Sequence, residues 1–350
     1  MNNFLKEIYE QPAALEKTVN YYMNGEGAAK LSELESKWKS GKFRSVLFTG
    51  MGSSYFAPHT AMCLLSSYGI RSQVVNSGEL LHYHRRLVTE DILFTAISQS
   101  GESFEIVKLL EKLNLPDSCI GITNEEESTL AQRAGLTLLS RAGKEDMTST
   151  KTYISTLMVL HIFSLVLAGE WNEQNRSAIH RVVSAVDSMI KESDRWLPGA
   201  TELLGRPEFV QVIGRGPSYS TVKQGALMFM EAARNPSAGI YGGEFRHGPM
   251  EMVKEGFRAV IFAPDGATCE QGFKMAADIA GFGGKVLLIT NKNGELPAKG
   301  IQRILIPFYD EFLFPIPAII PLQFIVNKWA TGEGNEPGNF TRGAKVTITE

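Results

Sequence analysis

Cysteine is scarce in this 350-residue chain. Cys63, Cys119 and Cys269 are too few and too scattered for a disulfide framework or a zinc site. They read as small apolar fillers in a reducing compartment. Neither sign of charge dominates: 35 Lys and Arg against 38 Asp and Glu leave a formal net charge of −3. That balance gives no electrostatic footprint for DNA, RNA or an anionic membrane. Long apolar runs are also missing. Leu157 to Gly169 is shorter than the ~18 residues of a spanning helix and contains His161. Phe312 to Val326 is interrupted by Pro315, Pro317 and Pro321. The opening MNNFLKEIYEQP has no apolar core of signal-peptide type. Low-complexity tracts are absent, and 43% apolar with 21% charged residues is a globular composition. A cytoplasmic protein with no membrane or nucleic-acid partner is therefore expected. At roughly 150 residues per domain the length predicts about two domains.

What the chain does contain is a repeat. RSVLFTGMGSSY (44–55) and EFVQVIGRGPSY (208–219) share an apolar strand followed by G-x-G-x-S-Y. Gly50 and Gly214 lie 164 positions apart. Ile122-Thr123-Asn124 and Ile289-Thr290-Asn291 lie 167 apart. DILFTAIS (91–98) and RAVIFAPD (258–265) fall between these landmarks, and LTLLS (136–140) and QRILIP (302–307) follow them. Four landmarks in register mark an internal duplication. Short β-branched runs alternate with helical patterns, and SFEIVKLLEKL places Ile106, Leu109, Leu110 and Leu113 on one face. Strand, helix and strand at this spacing predict parallel pairing. The fold class read from this pattern is α/β, with two doubly wound parallel sheets flanked by helices. The segmentation is a helical segment over 1–38, a first α/β domain over 39–171, a helical connector over 172–204, a second α/β domain over 205–330 and a tail over 331–350. Such a Gly- and Pro-bearing tail usually frays.

Ser98-Gln99-Ser100-Gly101-Glu102-Ser103 is the strongest local signal. It ends one predicted strand and opens a helix, so hydroxyls and free amides converge where the helix dipole favours an anion. Ligands also gather at the carboxyl ends of parallel strands. An elaborate N-cap is the alternative reading. Ser53-Ser54 and Thr148-Ser149-Thr150 stand at two comparable strand ends, and three such clusters favour one phosphate or sugar site. A dinucleotide fingerprint at G50-M-G-S-S-Y fails because Tyr55 replaces the third glycine. Farther on, Gly242-Gly243 and Gly248-Pro249 bracket Glu244, Phe245, Arg246 and His247, a polar cluster predicted not to continue a helix. Glu231 ends an otherwise apolar helical run; a buried carboxylate there suits a general base, whereas an isolated Glu on a helix is more often solvated. His247 alone reads equally as structural.

Taken together, these motifs resemble the double sugar-isomerase (SIS) domain family, above all the isomerase half of the glucosamine–fructose-6-phosphate aminotransferases. The matching segments are Lys6 to Pro12, Gly52-Ser53-Ser54-Tyr55, the serine loop, Ser149-Thr150-Lys151, Gly243 to Pro249 and Ala344-Lys345. The resemblance implies two tandem SIS domains of flavodoxin-like form. It implies that Ser53, Ser54, Ser98, Gln99, Ser100, Ser103 and Ser149 bind a sugar 6-phosphate, with Ser149 on the sugar. Glu231 would carry a proton between C1 and C2, His247 would assist ring opening, and Lys345 would close over the site. It also implies a homodimer with shared active sites, and no metal or other cofactor. Two departures stand out. There is no glutaminase domain or N-terminal cysteine, so glutamine-driven amination is not expected. Met228 stands where the aminotransferases carry a site lysine, and a thioether cannot donate a proton. Gly243 to Pro249 followed by Met250 to Val253 is similar to stand-alone deglycases, which split 6-phosphorylated sugar–amine adducts. The expectation is deglycation or deamination of an amine-bearing 6-phosphosugar, with simple aldose–ketose isomerisation or a phosphosugar sensor as alternatives.

Overall fold

The computed structural model describes residues 1–113, 116–308, 310–342, 345 and 347. The chain divides into two compact units. One, the first-sheet unit, comprises residues 10–180 and 340–350; the other, the second-sheet unit, comprises 1–9 and 181–339.

In the first-sheet unit, five strands run β1 (Ser45–Gly50), β2 (Ser72–Asn76), β3 (Ile92–Ile97), β4 (Cys119–Thr123) and β5 (Leu136–Leu139). Their spatial order is β2-β1-β3-β4-β5, and every pairing is parallel, with Val46 opposite Ser72 and Leu93, Phe94 opposite Cys119 and Ile120 opposite Leu136. β3 and β4 are buried along their whole length, as strands covered by helices on both faces must be. β2 is half-buried throughout. It is an edge strand without a run of core residues, which is why the sequence pattern did not mark it.

The second-sheet unit repeats the plan with β6 (Val210–Gly214), β7 (Ser237–Tyr241), β8 (Arg258–Phe262), β9 (Lys285–Thr290) and β10 (Ile301–Leu305), in the order β10-β9-β8-β6-β7. Counted within the unit this is the same 2-1-3-4-5 arrangement, again parallel, with Val210 opposite Ser237 and Arg258 opposite Lys285. Gly50 and Gly214 end β1 and β6, so the repeated glycines mark equivalent strand ends. In each sheet the strand order reverses beside that first strand, which opens a crevice at the carboxyl ends of β1 and β3, and of β6 and β8.

The helices needed to place the site are, in chain order, α1 (Asn3–Tyr9), α2 (Gln11–Met23), α3 (Glu26–Lys39), α4 (Pro58–Ser67), α5 (Phe104–Leu113), α6 (Thr129–Arg133), α7 (Lys151–Ala168), α8 (Glu173–Lys191), α9 (Ser193–Leu204), α10 (Tyr219–Glu231), α11 (Gly242–Arg246), α12 (Cys269–Gly281) and α13 (Ile320–Gly332). α5 buries Ile106, Leu109 and Leu110, the face its spacing predicts. α2 covers the free edge of the first sheet: Thr18 Oγ1 donates to the Ser140 carbonyl at 2.5 Å and Tyr22 Oη to the Leu139 carbonyl at 2.8 Å. Pro198 lies inside α9, where its missing N–H removes one intrahelical hydrogen bond.

One expectation needs correction. The apolar run beginning at Leu157 is the later part of an 18-residue helix, since α7 starts at Lys151. By length and composition α7 would suffice to cross a membrane, but 94% of it is buried inside the protein. It is apolar on all sides because α2, α3 and α4 enclose it. Burying each large aliphatic side chain of this helix contributes about 1.5–3 kcal/mol.

Candidate active site

The serine loop is built on the carboxyl end of β3. Ser98 is buried, and its Oγ lies 2.9 Å from Ser103 Oγ. The Gly101 amide donates to Ser98 Oγ at 3.1 Å, and the Glu102 amide donates to Ser100 Oγ at 3.2 Å. The Gln99 carbonyl accepts from Thr123 Oγ1 at 3.2 Å and the Asn124 amide at 3.0 Å, which ties the loop to the end of β4. The Glu102 carboxylate accepts from the Thr129 amide at 2.6 Å and Thr129 Oγ1 at 2.8 Å, which stabilises the start of α6. Gly101 has φ +66°, and a Cβ there would lie 2.1 Å from Ser128 Oγ. Only glycine permits this approach. Ser98, Ser100 and Ser103 brace the loop and the head of α5, and Gln99, Ser100 and Ser103 remain half-exposed.

Beside it, Gly50 closes β1 with no room for a side chain: a Cβ would meet the Ser54 carbonyl at 2.5 Å. Gly52 at φ +51° then turns the chain into a helical turn, Ser53–Phe56. Ser53 and Ser54 are half-buried, and neither hydroxyl has a protein partner among the described residues. Since β1 and β3 pair directly, this turn and the serine loop are neighbours.

The third hydroxyl cluster is organised by a residue that the sequence did not single out. Glu145 has a fully buried side chain. Its Oε1 accepts from the Thr150 amide at 2.8 Å, Thr150 Oγ1 at 3.2 Å and the Thr152 amide at 3.1 Å. Oε2 accepts from Thr152 Oγ1 at 2.5 Å. A carboxylate thus fills the amide-rich start of α7. Ser149, the predicted sugar contact, lies half-buried between these bonds. Lys345 Nζ reaches Glu145 Oε2 at 2.8 Å and also donates to the Met147 carbonyl. Two residues on, the Thr347 carbonyl accepts from the Phe104 amide, the first of α5, at 3.1 Å. Among its described residues, then, the tail does not fray but touches both the Glu145–Thr150 segment and the head of the serine-loop helix. Ala344 lies outside the described residues. Nearby, the Lys144 ammonium, 2.9 Å from Asp146, holds that carboxyl below its usual range, and Lys151 and Lys345 add to the effect.

Glu231 and His247 belong to the second-sheet unit. Glu231 is the last residue of α10 and is half-exposed, so full burial is not its situation. Met228 on the same helix is completely buried and Met230 exposed. The segment after β7 differs from expectation: the glycine pair starts a helix, α11, rather than blocking one. Phe245 is the reason, because its fully buried ring packs with Ile213, Ile261 and Met275 and outweighs the poor helix propensity of glycine. His247 ends that turn and is exposed; Gly248 follows at φ +133°. Arg246 is held by Asp278 at 2.6 Å.

The second crevice has a different lining. Gly266 is in the loop corresponding to the serine loop, and a Cβ there would meet the Glu311 carboxylate at 2.3 Å. Glu311 also accepts from the Ala267 amide at 3.2 Å. The chain's own acid fills this loop, which opposes anion binding there. Arg215, another residue not anticipated, lies under Gly242 and Gly243, with its Nε 3.0 Å from where a Gly242 Cβ would be. Among the described residues no group of three His, Cys, Asp or Glu could hold a metal ion.

Comparison with known proteins agrees with this architecture. The SIS domain matches residues 42–166 and 206–325. The isomerizing glutamine–fructose-6-phosphate aminotransferase of Pyrococcus horikoshii is 31% identical over 352 residues, which cover 99% of this chain and 57% of that protein. The Staphylococcus aureus enzyme is 29% identical over 329 residues, 92% of this chain and 54% of that one. The chain thus spans a little over half the length of these curated relatives. Among solved structures, the C-terminal domain of glucosamine-fructose-6-phosphate aminotransferase from Francisella tularensis matches with a TM-score of 0.84 at 24% identity, covering 97% of this chain and 98% of that one. The tagatose-6-phosphate ketose/aldose isomerase of Escherichia coli matches with a TM-score of 0.80 at 19% identity, covering 96% and 94%. Each matched SIS segment contains one of the two five-stranded parallel sheets, and the chain belongs to the SIS domain family, related to the isomerase half of these aminotransferases.

Proposed function

We propose that this protein is a cytoplasmic phosphosugar enzyme that moves a proton between C1 and C2 of an amine-bearing 6-phosphosugar, with deglycation or deamination as the outcome. The observation that carries the reading lies within the first-sheet unit. Two hydroxyl-bearing turns sit side by side at the reversal of strand order, and the tail places the Lys345 ammonium against the Glu145–Thr150 segment. Hydroxyls, amides and one cation suit a phosphate with an attached polyol. In this assignment Ser53, Ser54, Ser98, Gln99, Ser100 and Ser103 hold the phosphate, Ser149 contacts the sugar, and Lys345 orients it.

The chemistry follows from the carbon framework. His247 assists ring opening by passing a proton to the ring oxygen. With an amine on C1 and a carbonyl at C2, Glu231 takes a proton from C1, and the electron pair flows into an enolamine. Returning the proton to C2, as the C2 oxygen gains a proton and the nitrogen gives one up, leaves an imine at C1 and a hydroxyl at C2. Water adds to that carbon, the C–N bond breaks with a proton delivered to nitrogen, and an aldose 6-phosphate and a free amine result. With the amine on C2 of an aldose, the proton travels from C2 to C1 and hydrolysis of the C2 imine releases ammonia. The buried, apolar Met228 supports a reading other than amide-driven sugar amination, since it can neither donate a proton nor carry charge. The exposure of His247 on a single chain supports a homodimer in which this loop serves a neighbouring subunit's site.

Proton NMR in D₂O tests the proposal, with fructose 6-phosphate, glucosamine 6-phosphate and 6-phosphorylated fructose–amino acid adducts as the panel. Aldose 6-phosphate plus amine from an adduct establishes a deglycase, and ammonia from glucosamine 6-phosphate a deaminase. Interconversion of simple sugars alone establishes an aldose–ketose isomerase. No deuterium incorporation with any compound refutes the enzyme reading and favours a phosphosugar sensor.

A further inference from the structure

We propose that Glu145 is a positioning residue that anchors the C-terminal tail, holding Lys345 in place against the sugar-binding loop and thereby keeping Thr347 over the head of α5. The inference deepens the functional reading above and rests on it for the role of Lys345. Its geometry lies wholly within the first-sheet unit.

Three features single out Glu145. Its side chain is fully buried, while that of Lys345 is 22% exposed. A buried carboxylate without a cation is costly, and the other nearby lysines already have acids of their own. Lys151 pairs with Glu10 at 2.5 Å, and Lys144 with Asp146 at 2.9 Å. Lys345 is thus the cation given to Glu145.

The second feature is what remains if Lys345 leaves. Four donors from Thr150 and Thr152 still reach the carboxylate. A carboxylate has about four acceptor sites, so the loop keeps its shape with the tail released. The anchor can therefore open and reclose without unfolding its surroundings.

Reach is the third. Lys345 and Thr347 are two residues apart, yet one docks at the start of α7 and the other at the start of α5. Losing the first contact loosens the second. Glu145 then affects the Phe104 amide, beside the proposed phosphate loop, without touching the phosphate.

Amide hydrogen exchange on the full chain tests the anchor, alongside steady-state turnover of whichever panel substrate is consumed. Glu145→Gln is expected to raise exchange at the Phe104 amide, which donates to the Thr347 carbonyl, by about tenfold or more, the scale of a charge-assisted hydrogen bond. Amides of β3 and α7 should stay protected. Lys345→Met leaves the threonine bonds to Glu145 intact and should raise exchange at the same Phe104 amide; the double variant should add nothing further. Turnover of Glu145→Gln should fall by about tenfold or more while KM stays within about threefold, with partial recovery in Glu145→Asp. Unchanged exchange at Phe104 overturns the anchor, as does unchanged turnover in Glu145→Gln. If that variant loses protection throughout β3 and α7, Lys345→Met alone decides the anchor. If the unmodified protein consumes no panel substrate, the functional reading fails, and the exchange measurements still decide whether Glu145 holds the tail.

Discussion

Replacing Gly101 with alanine tests the geometry of the serine loop most directly. Gly101 sits at φ +66°, and an added Cβ would lie 2.1 Å from Ser128 Oγ, 2.4 Å from Ser128 Cβ and 3.2 Å from Thr123 Oγ1. The left-handed backbone costs an alanine about 1–2 kcal/mol. Moving Ser128 aside adds to that cost. Its Oγ donates to the Glu125 carbonyl at 2.7 Å and accepts from the Ala131 amide at 3.3 Å, and losing such a cap costs about 1 kcal/mol. Together these predict a local destabilisation of about 2–3 kcal/mol for Gly101→Ala. Two-state unfolding is not assured for a chain of two compact units. The sharper assay is therefore amide exchange at Leu130, whose N–H donates to the Gly101 carbonyl at 3.1 Å. Protection there should fall by about thirtyfold or more, the equivalent of 2 kcal/mol. Adding Ser128→Gly removes the obstructing atoms, so the double variant should be less impaired than the sum of the singles by about 1 kcal/mol. Leu130 protection unchanged in Gly101→Ala, or strict additivity of the pair, would refute the close approach of these two loops.

Other tests follow from the same structure. Ser98→Ala, Ser100→Ala and Ser103→Ala should each weaken sugar 6-phosphate binding by about 1–3 kcal/mol in calorimetry; unchanged affinity in all three removes the phosphate assignment. Glu231→Gln should abolish deuterium incorporation while ligand affinity stays within about threefold, and retained exchange would exclude Glu231 as the base. Burial pushes the Cys119 thiol up to about 12, so iodoacetamide at pH 8.5 should leave Cys119 unmodified in the folded protein while labelling the half-buried Cys63. Rapid Cys119 labelling in the folded protein would contradict the packing of β4.

Much of the fold was legible because burial on both faces demands β-branched, apolar strands, and the duplication presents that pattern twice. The edge strands β2 and β7 were not legible. β2 is half-buried throughout, and β7 has one buried residue, Ser237, one exposed and three half-buried, so their composition carries no strong core signature. Within the site, the serine loop could be read because strand end, glycine, hydroxyls and helix start are contiguous. Glu145 could not: its partner Lys345 is 200 residues away, and a lone Glu between Lys144 and Asp146 looks like a solvated surface residue.

The sequence by itself determined the parallel α/β class, the duplication, the helix following the serine loop and the need for glycine at sharp strand-to-helix turns. These depend on periodicity and steric limits acting over a few neighbouring residues. Tertiary structure alone decided which acid is buried, which helix head receives a carbonyl of the tail, and that the Gly242-Gly243 pair starts a helix. Those outcomes depend on desolvation and on packing partners brought together from distant parts of the chain. Phe245 shows the balance at one position: its ring is fully buried in the core, and that burial outweighs the local preference of two glycines.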